Sequence, residues 1–470
     1  MSNAQIGVYG LGTMGSALAL NMAENGYQVA VANRETDWIA DFLSRAGTLA
    51  QNLHGYEQLE DFVQALTPPR VILFMIPSGK PMDAMIAAIS PLLKPGDTVI
   101  DGGNANFHDT RRRSAAMAKQ DLHFVGMGVS GGETGARHGP SLMVGGSDHS
   151  WAQLKPVLQA IAADYQGDAC VDHLGPDGAG HFVKTVHNGI EYADMQALAE
   201  IYALLRDLGG WTAVQIGDLL AQWNTGPLNS YLVEISAEVL RTQDQATGQP
   251  LVDVILDQAE QKGTGRWSAI EALNLGQSAS MIEAAVGARS WSSEKPLRVA
   301  AAPLLEAGNQ AADLPGADDL AGALMAARIL GHAQGFRILQ SASEAYDWGL
   351  DMRRIAQIWR AGCIIRSDLL SDLAEAFSAP LPHGQLLLAP AMIQRLNANI
   401  PALRRVVCAG LAAGVAIPAL AAALSWYDSI RTAQGSSNLL QAQRDFFGAH
   451  GFERIDQPGK FHGDWSKSGA

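Results

Sequence analysis

The chain has 470 residues and a formal net charge of −14, a length that suits about three domain-sized units. Apolar residues make up 47% and charged residues only 17%, against a usual ~25%, which speaks against a disordered chain and for a large buried core that extends into a subunit interface. The acidic balance, with no basic run longer than Arg111-Arg112-Arg113, speaks against a nucleic-acid polymer or an anionic membrane as the main partner.

The N-terminal MSNAQIGVYG enters an apolar run directly, without the pattern of a signal peptide. Short β-branched runs at Ile6-Tyr9, Gln28-Ala32, Val71-Met75, Thr98-Ile100 and Phe124-Val125 alternate with helical patterns such as Gly15-Asn25 and Asp83-Ser90. This rhythm predicts a parallel, doubly wound α/β sheet, a Rossmann-like domain over residues 1–178. Asp101-Gly102-Gly103-Asn104 and Ser130-Gly131-Gly132 each follow a strand, where loops face the ligand crevice of such folds. From 179 to 435 the pattern is almost entirely helical. Trp223-x-x-Gly226 and Trp359-x-x-Gly362 each follow apolar residues four and seven positions earlier, which suggests a duplicated helical unit. Val406 to Leu424 is uncharged and nearly long enough to span a membrane, but it is rich in Ala and Gly and broken by Pro418; a buried core helix is expected. Residues 436–470 read as a polar, aromatic tail that needs something to dock on. Cys170, Cys363 and Cys408 form no metal or redox spacing, the pattern of a reducing cytoplasm without structural zinc.

Gly10-Leu11-Gly12-Thr13-Met14-Gly15 follows the first strand and opens a helix. Such glycines let backbone approach a pyrophosphate while the helix N-terminus faces its charge, so a dinucleotide site is expected. The second strand ends at Asn33-Arg34-Glu35. Asn followed by Arg suits a 2′-phosphate and hence NADP, whereas Glu35 can pair with Arg34 or repel that phosphate.

Lys184, His187, Asn188 and Glu191 are spaced i, i+3, i+4 and i+7 and share one helix face. Phe182, Val183, Val186 and Ile190 around them predict a largely buried helix. A polar stripe there is costly unless it lines a cleft, where Lys184 and Glu191 can flank one substrate as base and acid. Lys262-Gly263-Thr264-Gly265-Arg266-Trp267 is a short basic loop able to wrap a phosphate. No spacing argument connects Arg289, Arg444 and His450.

These strings together resemble the 6-phosphogluconate dehydrogenases, the decarboxylating enzymes of the pentose phosphate pathway. The matches are GLGTMG, DGGN at 101–104, SGGETGARHGPSLM at 130–143, HFVKTVHNGIEY at 181–192, WNTGPLNSYLVEI at 223–235, KGTGRW at 262–267, CIIRS at 363–367 and QAQRDFFGAH at 441–450. The resemblance implies oxidation of the substrate's C3 hydroxyl with NADP, loss of CO2, and tautomerisation of the enediol to ribulose 5-phosphate without a metal. It implies that Lys184 is the general base and Glu191 the general acid. Residues 10–15, Asn33, Arg34, Glu35, Met75, Ile76, Pro77 and Asn104 would bind the coenzyme. Asn104, Ser130, Gly131, Gly132, His187, Asn188, Tyr192, Lys262, Arg289, Arg444 and His450 would bind the substrate. The tail would thread into the other subunit of a homodimer and complete its site.

The chain departs from the family pattern where Glu35 replaces Thr, Trp38 takes a Lys position and Pro77-Ser78 replaces Lys-Ala. It departs again at Arg266 for Lys, Val144 for Pro and Phe446 for Tyr. These changes bear on coenzyme choice and tail packing. NAD or another sugar acid with the same mechanism is the alternative. A non-catalytic NADPH-binding sensor is a further one, and it gives no physical reason to keep a base, an acid and a phosphate pocket together.

Overall fold

The computed structural model describes residues 4–261, 263–306 and 312–465. Residue contacts divide the chain into two compact units, Met1–Ala423 and Leu424–Ala470.

The first unit opens with strands β1 (Ile6–Tyr9), β2 (Val29–Ala32), β3 (Leu53–Gly55), β4 (Val71–Phe74), β5 (Thr98–Asp101), β6 (His123–Ser130) and β7 (Ser141–Gly145), and β10 (Val171–Gly175) follows the small hairpin of β8 (Asp164–Tyr165) and β9 (Asp168–Ala169). The large sheet has the order β10-β7-β6-β5-β4-β1-β2-β3. β1 pairs in parallel with both β2 and β4. The order reverses there, and the loops at Gly10 and Met75 leave the carboxyl ends of those two strands, the place where open α/β sheets bind ligands.

The Rossmann-like expectation holds, with one difference. β6 and β7 run antiparallel, because the short connection Gly131–Pro140 cannot make the longer crossover that a parallel neighbour needs. β6 is also longer than its β-branched core suggests. Gly126 and Gly128 break the strand signal, yet packing demands them: a Cβ on Gly126 would lie 2.5 Å from Thr110 Cγ2, and one on Gly128 2.4 Å from Lys184 Cβ.

The helical region is organised by two long helices, Ala179–Ala203 and Ala317–Tyr346. Arg328 on the second donates to both oxygens of Asp194 on the first, at 2.8 and 2.9 Å, and both side chains are buried. Truncating either one would strand a buried charge. Each long helix is followed by a shorter one, Ala213–Trp223 and Met352–Ile358, that runs into one of the two W-x-x-G strings, in keeping with a duplicated unit. The uncharged stretch 406–424 is split between the helices Pro390–Ala412 and Pro418–Ile430. Among the described residues no helix is long and apolar enough to cross a membrane.

Glu200, near the end of the first long helix, accepts hydrogen bonds from the Ala419 and Leu420 amides at 2.8 and 2.9 Å. It is 1% exposed, and burial pushes its carboxyl up to about 7. The folded value lies above the unfolded one. Its stabilising contribution is therefore complete below the unfolded value and is lost as pH rises through the folded value. Denaturant unfolding at pH 5 and pH 8 should show wild type losing about 2–3 kcal/mol more between the two than Glu200→Gln, whatever constant cost the amide brings. Equal losses would remove Glu200 as the titrating group.

The second unit holds the helix Ser437–Gly448 and the hairpin of β11 (Phe452–Glu453) and β12 (Lys460–Phe461). Asp445 is its hub. Its carboxylate accepts from the amides of Gly451 and Gly463, from Trp465 Nε1 and from His462 Nδ1, which holds its pKa well below the ordinary range. Leu439, Leu440, Phe446 and Phe447 on the helix are exposed.

Candidate active site

The glycine-rich turn has three glycines with three reasons. Gly10 has φ +104° and its Cβ would meet Met75 O at 2.5 Å, while a Cβ on Gly15 would lie 1.9 Å from Gly10 O. The first demand is the turn and the second is helix-to-strand closeness. A Cβ on Gly12 would meet nothing within 4 Å, so no protein contact explains this glycine, whereas a ligand drawn up against the backbone does. Helix Thr13–Glu24 begins here with no acidic residue in its first turn. Asn33 Oδ1 accepts from the Leu11 amide at 2.8 Å and clasps the turn to the end of β2.

Two clefts flank the turn. One, of about 470 Å³, is bounded by Gly12, Asn33, Arg34, Glu35, Trp38 and the Met75-Ile76-Pro77 loop. The other, about 280 Å³, lies between Thr13-Met14-Gly15, Met75-Ile76, Gly102-Gly103-Asn104 and Val129. All the residues expected to bind coenzyme line these clefts except Leu11, whose side chain packs into the core. Their fit to a dinucleotide is good: open backbone at a helix N-terminus, apolar walls, and polar groups at the ends. At the far end Arg34 Nε donates to Glu35 Oε1 at 2.7 Å, and Asn33 Nδ2 donates to Glu35 Oε2 at 3.2 Å. The guanidinium holds the Glu35 carboxyl below its usual range.

The Gly102-Gly103 loop is held from beneath. Asp101 accepts from the Gly103 amide at 3.0 Å and from Arg113 at 3.3 Å. Arg113, 2% exposed, also binds Asp83 at 2.9 Å. The part played by Arg113 and Asp83 is not legible in the sequence, because their contact joins two helices 30 residues apart.

The polar helix face lies against β6. Lys184 is 6% exposed and His187 0%. Lys184 Nζ lies 3.5 Å from His187 Nδ1, which is 3.1 Å from Asn188 Oδ1 and 3.8 Å from Glu191 Oε2. His187 Nε2 meets Ser130 Oγ at 3.2 Å, and Asn188 Nδ2 donates to Thr264 Oγ1 at 3.0 Å. Burial lowers Lys184, with Glu191 opposing, and burial raises Glu191, with Lys184 and Arg289 opposing. Burial also drives His187 well below its ordinary value, with Lys184 adding to the effect. An amine pushed toward neutrality beside a carboxyl pushed toward protonation is an acid–base pair shaped by one environment. Val129 lines the coenzyme cleft and its neighbour Ser130 touches His187, so the two parts adjoin.

Ser130, Gly131 and Gly132 form the turn into helix Gly132–His138, with Gly131 at φ +110°. Arg289 Cζ stands 3.4 Å from the centre of the Tyr192 ring, and Tyr192 in turn leaves no room for a Cβ on Gly265. Tyr192, Arg289 and the start of helix Thr264–Asn274 thus surround one region. Lys262 lies outside the described residues. Arg444 and His450 belong to the second unit, where Arg444 donates to Gln441 at 3.3 Å and His450 packs on Phe447. Thr264 and Trp359, which lies edge-on to His187 at 5.4 Å between ring centres, are site neighbours that sequence reasoning missed. Thr264 sits inside the string KGTGRW and Trp359 in the second W-x-x-G string, but only packing shows what they touch. Among the described residues no cluster of His, Cys, Asp and Glu could hold a metal ion.

Two family models cover nearly the whole chain: the NAD binding domain of 6-phosphogluconate dehydrogenase over residues 5–175, and the C-terminal domain of 6-phosphogluconate dehydrogenase over 180–465. The chain belongs to the 6-phosphogluconate dehydrogenase family. It is 45% identical to the NAD(+)-dependent decarboxylating 6-phosphogluconate dehydrogenase of Bacillus subtilis, over 98% of this chain and 99% of the relative. It is 44% identical to the NADP(+)-dependent decarboxylating enzyme of the same organism, over 99% and 100%. The fold matches Plasmodium falciparum 6-phosphogluconate dehydrogenase with a TM-score of 0.93 and 35% identity, covering 98% of this chain and 100% of that one. The family thus spans both coenzymes at nearly equal likeness to this chain, so family membership carries an NAD(P) site without deciding between the two.

Proposed function

We propose that the protein converts 6-phosphogluconate to ribulose 5-phosphate and CO2, with NADP as the coenzyme that Arg34 recruits and NAD as its competitor. The observation that carries this reading is the face of buried Lys184, His187 and Asn188 with partly buried Glu191, adjoining the glycine-lined cleft. A nicotinamide coenzyme held by Gly10–Gly15, Met75–Pro77 and Asn104 would supply the acceptor for a hydride from C3. Lys184, neutral at the outset, takes the C3 hydroxyl proton as the hydride leaves. The resulting 3-keto acid loses its carboxylate as CO2 while Lys184 returns the proton to the C3 oxygen, giving the enediol. Glu191 then protonates the carbon that lost CO2, and Lys184 takes the proton back from the C3 hydroxyl as the ketone forms. One proton passed from Lys184 to Glu191 restores the starting state. His187 and Asn188, with Asn104 and Ser130-Gly131-Gly132, hold the carboxylate and hydroxyls. Tyr192, Arg289 and Lys262 take the phosphate end.

A homodimer is part of this reading. The helix that carries Arg444 exposes four large apolar side chains, a surface that suits a partner. In the resemblance the tail reaches the other subunit's site, which would gather cations in an acidic protein. A cytoplasmic setting agrees with three unpaired cysteines.

Initial rates with 6-phosphogluconate and NADP, then NAD, with CO2 followed in parallel, test the reading. Coenzyme reduction with stoichiometric CO2 is expected. Reduction without CO2, or none with either coenzyme, would overturn it.

A further inference from the structure

The second W-x-x-G string touches the candidate site from a distance in sequence. Trp359 is 0% exposed and its ring lies edge-on to His187, 77° between planes. His187 meets Ser130 at 3.2 Å. Three residues past Trp359, Gly362 has φ +66° and its carbonyl accepts from the Ser141 amide at 2.8 Å. The same carbonyl lies where a Cβ on Gly131 would approach to 2.5 Å. A Cβ on Gly362 would itself meet Gly139 O at 2.5 Å. Directly after Gly362, Cys363 Sγ donates to Trp359 O at 3.0 Å. Burial pushes this thiol up to about 12, so it remains a neutral donor.

The turn therefore grips both ends of the Ser130–His187 contact: the imidazole by the indole, and the Gly131 backbone by the Gly362 carbonyl. We propose that Trp359 is a positioning residue which, with the backbone of Gly362, fixes His187 and the Ser130-Gly131 turn for the sugar acid. The inference rests on the substrate role of those residues proposed above. It also gives the duplication a use. The second helical half supplies no acid or base to the face described here, but braces the groups that hold the substrate. The expected coenzyme contacts Gly10–Gly15, Asn33 and Met75–Pro77 follow β1, β2 and β4, whereas the braced turn follows β6, so the brace acts on one substrate more than on the other.

The test is Trp359→Leu and Trp359→Phe, with steady-state kinetics and coenzyme binding by fluorescence titration. Trp359→Leu should lower kcat/KM for 6-phosphogluconate about ten- to a hundredfold with coenzyme affinity within about twofold. Trp359→Phe, which keeps an aromatic edge against the imidazole, should recover to within about threefold of wild type. If Trp359→Leu fails to fold, Trp359→Met, whose flexible side chain fills the space without an aromatic edge, takes its place. Equal losses for coenzyme and sugar acid, or unchanged kinetics in the Leu or Met variant, would overturn the positioning role. A wild-type protein that binds coenzyme but oxidises no 6-phosphogluconate would instead overturn the reading on which it rests.

Discussion

Replacing Lys184 by methionine should lower kcat for 6-phosphogluconate oxidation by about a thousandfold and leave coenzyme binding nearly intact. Methionine matches most of the lysine's length, so the packing of Lys184 against Gly128 survives and only the proton acceptor is lost. The pH profile carries a second signature. A base works only when deprotonated, so activity is lost as pH falls through the Lys184 value. An acid works only when protonated, so activity is lost as pH rises through the Glu191 value. Burial moves the first down and the second up, so both limbs are drawn toward each other relative to ordinary lysine and glutamate. The two limbs belong to the coupled pair, not to single residues. Glu191→Gln should remove the alkaline limb with a smaller effect on the hydride step. Wild-type turnover in Lys184→Met would end the assignment.

Arg34→Ala should lower kcat/KM for NADP by about ten- to a hundredfold, the size of a charge-assisted contact to a phosphate, and change the value for NAD within about twofold. The geometry tempers the upper figure. Arg34 is exposed and already holds Glu35, so part of its attraction for a 2′-phosphate is spent on its neighbour. Glu35→Gln should for that reason shift the ratio of the two kcat/KM values toward NADP, the reverse of Arg34→Ala. Parallel loss of both coenzymes in Arg34→Ala would sink the 2′-phosphate role. The two Bacillus subtilis relatives, one named for each coenzyme, make this ratio the property most in need of measurement.

Some of this architecture was legible because it is local. GLGTMG between a β-branched run and a helical pattern carries its own geometry, since turn, helix start and strand are neighbours in the chain. The face of Lys184, His187, Asn188 and Glu191 follows from helical periodicity alone, and the apolar residues between them announced its burial. Asn33, Arg34 and Glu35 could be named for the same reason, as the end of one strand. The uncharged stretch 406–424 was readable in part: it does not form the single core helix expected, because a second helix begins at Pro418.

What remained hidden depends on contacts between segments far apart in sequence. Gly126 and Gly128 look like strand breakers until Thr110 and Lys184 are packed against them. The antiparallel turn of β7 follows from the length available for a crossover, which a strand pattern does not encode. The tail looked as if it needed a support, and Asp445 gathers four donors to organise it from within. By itself the sequence determined the coenzyme turn and the polar helix face, because each rests on spacing within one element, and the family, because its strings recur in order along the chain. Only the tertiary structure decided that Ser130 meets His187 and that Trp359 and Gly362 lie against the two. Those contacts join residues that periodicity cannot relate, and they exist only once the two helical halves and the sheet are packed together.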